Sequence, residues 1–197
     1  SPIFTAATGS THGYDVTDPN EIDPAIGGRA GFDRMTAALR QAGMGLILVI
    51  VPNHMSTSLE NRWWRDVIAF GQQSRYAHYF DIDWFLGDTF EAELEKGAIA
   101  LKRDSVTGEA ALVYYDTAYP LNPGTWAAEK SIEAIHEAQS WRLMSWREAP
   151  KQLSWRRFFE ITGLVGVRVE DERVFQDSHR LILELVHTGI VDGLRID

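Results

Sequence analysis

The sequence predicts an α/β fold built on parallel strands, and three observations carry that reading. Two helix–glycine–strand units recur, one near the start of the chain and one at its end. Each strand finishes in polar side chains able to do chemistry, which is where parallel barrels and open sheets keep their sites. Between the two strands lie about 140 residues, far more than the dozen or so that a crossover between adjacent parallel strands needs.

In the first unit, Phe32, Met35 and Leu39 fall at helical spacing between Gly31 and Gln41, with Ala38 beside them, and Gly43 supplies a left-handed stop. The run "LILVIV" (Leu46 to Val51) then reads as a buried parallel strand: apolar on both faces, rich in branched residues and too short for a helix. Pro52 ends it, and Asn53 and His54 follow. The second unit repeats the order. Val174, Phe175, Leu181, Ile182, Leu185 and Val186 form a helical stripe, Gly189 stops it, and "IVDGLRID" reads as a strand.

The stretch between the units follows a different grammar. Residues 61–71 read as a helix opened by Asn61 and stopped near Gly71, and Thr89 to Lys96 as another capped by Thr89. "AIALKRD" and "EAALVYYD", joined by "SVTG", read as a β-hairpin, and Trp126 to Gln139 returns to helix. Most of this reads as a subdomain inserted after the first strand.

Composition excludes several function classes. With 45% apolar and 24% charged residues, the 197-residue chain is globular rather than disordered. A net charge of -9, with no basic run longer than Arg156-Arg157, argues against a nucleic-acid partner. No cysteine is present, so disulfides and thiolate metal sites are out, which fits a reducing cytoplasm. No apolar run approaches the length of a membrane span, so no membrane partner is expected. The opening "SPIFTAATGS" has no basic-then-apolar pattern, and because the first residue is not Met, Ser1 need not be a natural start. Seven Trp, six Tyr and nine Phe either fill cores or offer flat faces to sugar rings, and composition does not choose between them.

The candidate chemistry sits at the strand ends. Strand alternation puts Gly193, Arg195 and Asp197 on one face. A guanidinium beside a carboxylate favours the ionised acid, which suits a nucleophile or an electrostatic stabiliser; a structural ion pair is the alternative. Asn53 and His54 follow the other strand, where a neutral imidazole either donates to a sugar hydroxyl or is structural. In "GSTHGYDVTDP", which is too turn-rich for regular structure, Tyr14 either stacks on a substrate ring or plugs a barrel mouth, with His12 and Asp15 beside it. His12, Asp15, His54 and Asp197 are candidates for a metal by residue type, but none has helical metal-motif spacing, so no metal is expected.

Here the motifs resemble a known family. "STHGYDV", "GMGLILVIVPNHM" and "GIVDGLRID" are similar to successive signatures of the α-amylase superfamily of glycoside hydrolases. More narrowly, "SPIFTAATGSTHGYDV", "YFDIDW", "LSWRRFFEITGLVGVRVED" and "SHRLILEL" resemble the maltooligosyl trehalose synthases, over essentially the whole chain. The resemblance implies a partial (β/α)8 TIM barrel with an inserted α+β subdomain after the third barrel strand. Residues 1–56 would be a barrel segment from the end of the second strand to the third, 57–150 the inserted subdomain with connecting helices, and 151–197 a barrel segment ending at the fourth strand.

The implied activity is intramolecular transglycosylation by a retaining mechanism. The reducing-end α-1,4 bond of a maltooligosaccharide becomes an α,α-1,1 bond, with no cofactor, and a maltooligosyl trehalose trehalohydrolase acting on the product is an implied partner. Asp197 would be the nucleophile, Arg195 its charge partner, His54 a hydrogen-bond donor to the sugar and Tyr14 its stacking platform, with Asn53, His12 and Asp15 as further substrate contacts. Trp63, Trp64 and Trp84 are candidate walls against water. The general acid and a second stabilising aspartate would lie beyond Asp197, so the chain reads as an internal fragment expected to be inactive alone. A part-barrel is also expected to leave apolar strand faces uncovered. The family has Asp where Val49 stands, which removes an acceptor from the floor of the site. A non-catalytic α-glucan-binding protein and a hydrolytic amylase-type enzyme are the alternatives.

Overall fold

The computed structural model of the chain describes residues 2–85, 99–144, 147 and 149–197. Two compact units emerge: Ser1–Asn61 with Tyr79–Asp81 and Arg157–Asp197, and Arg62–His78 with Ile82–Arg156.

The first unit holds both helix–glycine–strand repeats. Helix α1 (Gly28–Gln41) leads to strand β3 (Ile47–Ile50), and helix α5 (Glu172–His187) leads to strand β10 (Gly193–Ile196). Both helices end the same way. Gly43 and Gly189 adopt φ of 68° each, the Gly43 and Met44 N–H groups bond to Arg40 and Leu39 carbonyls, and Gly189 and Ile190 repeat this on Val186 and Leu185. The Arg40 guanidinium also donates to the Gly189 carbonyl, linking the two terminations. Helix α5 is capped at its start by Asp171, whose carboxylate accepts from Arg173 and Val174 N–H.

Strands β3 and β10 pair in parallel, with Gly193 opposite Ile47, Val49 opposite Arg195 and Ile50 opposite Ile196. The Asp192 side chain fixes the entry, accepting from Leu46 N–H at 2.8 Å. Gly45 suits the close approach there, because a Cβ at that position would stand 3.1 Å from the Asp192 carboxylate oxygen and press on it. The burial expected on both faces of Leu46 to Val51 is not what the strand shows. Leu48 and Ile50 are buried, whereas Ile47 is 70% exposed and Val49 only half-buried, so one face is packed and the other open.

Other expectations shift by a turn. In α1 the buried positions are Phe32 and Thr36, while Met35 is exposed; the inward face follows the i, i+4 pair and the Thr36 hydroxyl is satisfied by the Asp33 carbonyl. In α5 the inward face carries Val174, His179, Leu181, Ile182 and Leu185, with Phe175 stacked on His179 at 4.1 Å. The segment "GSTHGYDVTDP" also becomes regular partway. Strand β2 (Val16–Ile22) pairs antiparallel with β1 (Phe4–Ala6) through an irregular register, and such irregular pairing tolerates Pro19 without its N–H.

A further three-stranded sheet completes the unit. Strand β4 (His54–Ser56) pairs with β9 (Ile161–Gly166), which turns back on β8 (Arg157–Phe158). The turn places Phe159 at φ 52°, where glycine is usual, so the residues gave no turn signal. Phe80 bridges Val167 and is buried among the unit's core.

In the second unit, helix α2 (Arg62–Phe70) matches the helix expected over residues 61–71. Strands β5 (Ile99–Arg103) and β6 (Ala110–Tyr114) form the expected hairpin, extended by β7 (Thr117–Pro120). Asp104 organises the hairpin turn, accepting from Val106 N–H at 2.8 Å and pairing with Arg65 at 2.6 Å while almost fully buried. The helix expected from Trp126 to Gln139 is shorter: α3 spans Ile132–Glu137, opened by the Ser131 side chain on Ala134 N–H. Ser131 is the better cap, and the Pro and Gly at 123 and 124 hold the preceding segment in turns. Helix α4 (Ala149–Gln152) precedes a neck in which Ile82 bridges Trp155 and Asp83 N–H bonds to the Ser154 carbonyl. The core gathers Ile99, Leu112, Leu121, Ile135 and Trp141. The helix expected over Thr89 to Lys96 lies outside the described residues.

Candidate active site

The loop before β2 is tied together by its own side chains. Asp15 accepts from the Ser10 hydroxyl, whose oxygen accepts from Gly13 N–H, and the Asp15 carbonyl accepts from Ala7 N–H. The Nδ1 of His12 accepts from Tyr14 N–H at 3.0 Å, and the His12 and Tyr14 rings stack at 5.7 Å. An Asp15 carboxylate oxygen also approaches His12 Nδ1 at 3.7 Å.

His54 opens β4 and is almost fully buried. Its Nε2 lies 3.0 Å from the Tyr14 carbonyl and its Nδ1 2.6 Å from Asn53 Oδ1, with the Phe158 ring tilted against it at 4.5 Å. Burial pushes its pKa below the ordinary imidazole value, against the opposing effects of the Tyr14 carbonyl and the Asp15 charge. The ring is therefore neutral at neutral pH. Both facing atoms, the Tyr14 carbonyl oxygen and Asn53 Oδ1, are acceptors, so a neutral ring donates to one of them; donation from Nε2 satisfies the Tyr14 carbonyl, and turning the Asn53 amide over, its NH2 toward Nδ1, satisfies the other nitrogen. Both ring nitrogens are thereby committed within the protein, and donation from His54 to a sugar requires one to be given up.

Asp197 extends the β10 pairing by one bond, its N–H donating to the Ile50 carbonyl at 3.0 Å. Its carboxylate stands 3.9 Å from Arg195, with side chains 46% and 69% exposed, so the pair contributes little to stability.

These placements converge. His12, Tyr14, Asp15, His54 and Asp197 all line one cavity of about 620 Å³ in the first unit, a volume usual for small-molecule sites. Asn53 and Arg195 stand behind it, touching His54 and Asp197 respectively. The contributors not singled out from the residues include Phe158, Ile161 and Gly163 of the β8–β9 ribbon and Thr57 after β4. The alternation of Ile161, Gly163 and Val165 was the available signal. Trp64 belongs to the core of the second unit, edge-on to Trp155, and Trp63 stacks on Tyr76. Among the described residues no three His, Asp or Glu side chains converge in a way that could hold a metal, and no helix is long and apolar enough to cross a membrane.

The family model for the α-amylase catalytic domain matches residues 1–197. A putative maltooligosyl trehalose synthase of Mycobacterium tuberculosis is 43% identical over 100% of this chain, which covers 26% of that protein. The structure of maltooligosyltrehalose synthase from Arthrobacter ramosus superposes with a TM-score of 0.90 at 41% identity, covering 100% of this chain and 26% of that one. A hypothetical maltooligosyl trehalose synthase of Sulfolobus tokodaii gives 0.85 at 37% identity, with 100% and 27% covered. The chain thus spans about a quarter of the length of these relatives, and its architecture is α/β and TIM-barrel-like. With every residue inside the matched model, the chain belongs to the α-amylase catalytic-domain family.

Proposed function

We propose that this chain supplies the nucleophile and part of the sugar site of an enzyme that isomerises maltooligosaccharides, turning the reducing-end α-1,4 bond into an α,α-1,1 bond. The observation that carries the reading is the convergence of Asp197, Tyr14 and His54 on one cavity. The similarity of the whole chain to maltooligosyl trehalose synthases supports it. In the intact enzyme, β3 and β10 are the third and fourth strands of a (β/α)8 barrel, with residues 57–150 the subdomain inserted after the third. The product is a substrate for a trehalohydrolase, and the lack of cysteine fits a reducing cytoplasm.

The chemistry follows the retaining scheme. The Asp197 carboxylate attacks the anomeric carbon, the α-1,4 bond breaks, and a carboxylic acid gives its proton to the leaving glucose. That glucose turns in the site, its anomeric hydroxyl attacks the same carbon, the bond to Asp197 breaks, and the conjugate base takes the hydroxyl proton. Isomerisation outruns hydrolysis only while water is excluded. Phe158 and Ile161 give the cavity apolar wall for this, and the Tyr14 ring, held through its own carbonyl by His54, gives a flat face for a pyranose. Arg195 stands beside Asp197 as its charge partner, with His12 and Asn53 at or behind the cavity edge. Among the described residues the other carboxylate lining the cavity is Asp15, already bonded to Ser10, and the likeness to maltooligosyl trehalose synthases supports a general acid supplied from a segment beyond Asp197.

Proton NMR of maltopentaose treated with the intact enzyme tests the reading. A 1,1-linked anomeric signal growing as reducing ends disappear supports it, whereas shorter free maltooligosaccharides identify a hydrolase and binding without turnover a glucan-binding protein.

A further inference from the structure

We infer that Thr57 is a sugar-positioning residue and that the open edge at Gly163 sets how much ring the cavity admits; this rests on the cavity being the sugar site. Thr57 and Gly163 line the same cavity as Asp197. They are joined directly, Thr57 N–H donating to the Gly163 carbonyl at 2.9 Å and carrying the β4–β9 ladder one step past Ser56.

The backbone around Thr57 is held on its other side too. The Ser56 carbonyl accepts from the fully buried Asn61 side chain at 2.9 Å, and Asn61 N–H bonds to the Ser58 carbonyl. The neighbouring hydroxyls have local work: Ser56 Oγ accepts from Ser58 N–H and Ser58 Oγ from Glu60 N–H. Among the described residues the Thr57 hydroxyl has no such bond. A rigidly mounted, unengaged hydroxyl on the wall of a polar-rimmed cavity can both donate to and accept from a sugar hydroxyl without reorganising.

Gly163 supplies the space. A Cβ there meets no atom within 4 Å, and its φ lies outside the left-handed region, so a larger side chain is tolerated by the fold and grows into the open room beside Thr57. The absence of a side chain at this point is thus not needed for packing. It is accounted for by a ring occupying that room.

The test uses the intact enzyme carrying this chain, with maltopentaose, and reads kcat, KM and thermal midpoint for T57V, T57S, G163A and G163L. T57V keeps shape and loses the hydroxyl, so kcat/KM should fall about tenfold, mostly through KM, with the midpoint held and T57S restoring it. G163L should lose activity by a hundredfold or more at an unchanged midpoint, with G163A falling between it and the parent. T57V within twofold of the parent overturns the inference, as does T57S falling with T57V. If Thr57 misfolds the protein when changed, a fully active G163L overturns it independently. Failure of the isomerase reading is seen separately, in the identity of the parent enzyme's products.

Discussion

The buried His54 imidazole donates its Nε2 proton to the Tyr14 backbone carbonyl at 3.0 Å, so a ring on β4 fixes a loop that lies 40 residues earlier in the chain. Replacing His54 with Ala leaves that carbonyl without its partner. A loss of about 1–3 kcal/mol in denaturant unfolding is expected, together with faster amide exchange at Tyr14 and Asp15.

The same burial makes stability depend on pH. His54, His136 and His179 all have their pKa lowered, in each case foremost by burial, from the ordinary value of 6.5. The unfolded chain takes up protons below that value while the folded one resists them. Their contribution is therefore complete above pH 6.5 and is lost as pH falls from there toward their lowered folded values. Unfolding free energy measured from pH 7.5 to 5 should decline on acidification, and H179Q should flatten the slope. A pH-independent midpoint over that range contradicts the assignment.

Asp197 is predicted to be indispensable to turnover. D197N in the intact enzyme should lower kcat by about 10⁴-fold or more while retaining maltooligosaccharide binding. The 197-residue chain by itself should give no product from maltopentaose, because among the described residues its cavity holds no unengaged second carboxylate for the proton transfer.

Val49 and Arg195 are register partners on one face of the β3–β10 pair. V49D therefore sets a carboxylate beside the guanidinium, and a double-mutant cycle with R195M should give a favourable coupling of about 0.5 kcal/mol, reduced by salt. A zero or unfavourable coupling would show that the two side chains do not meet.

In the second unit, Arg65 partners a carboxylate that is only 5% exposed. Burial alone pushes Asp104 up, but the Val106 N–H, the Arg65 guanidinium and the Thr107 N–H together bring it below its ordinary value. R65M strands that charge and should cost about 2 kcal/mol in unfolding free energy, of which D104N/R65M should recover part.

The parts legible in the sequence were those encoded locally. Gly43 and Gly189 announced two identical helix terminations, and the branched run after the first announced a strand. His54 and Asp197 could be nominated because each follows or ends a recognisable strand, and Tyr14 because its turn-rich segment resembles a family signature. What the residues did not disclose were pairings between distant segments. Nothing near Phe158 marks a turn, since Phe159 takes the left-handed conformation without being Gly or Asn, so the ribbon that lines the cavity passed unread. The bond from His54 to the Tyr14 carbonyl has no periodic signature either, and it gives the expected sugar contact a second role as a brace.

The neck formed by Ile82 with Trp155 and by Asp83 with Ser154 has an implication for how such chains diversify. Because residues 82–83 and 154–155 are stitched to each other, the segment between them closes at a fixed gap whatever its contents, and lengthening it adds only a logarithmic entropic cost. Evolution or an engineer can therefore shorten, lengthen or transplant that excursion between relatives while the strands bearing the carboxylate keep their register.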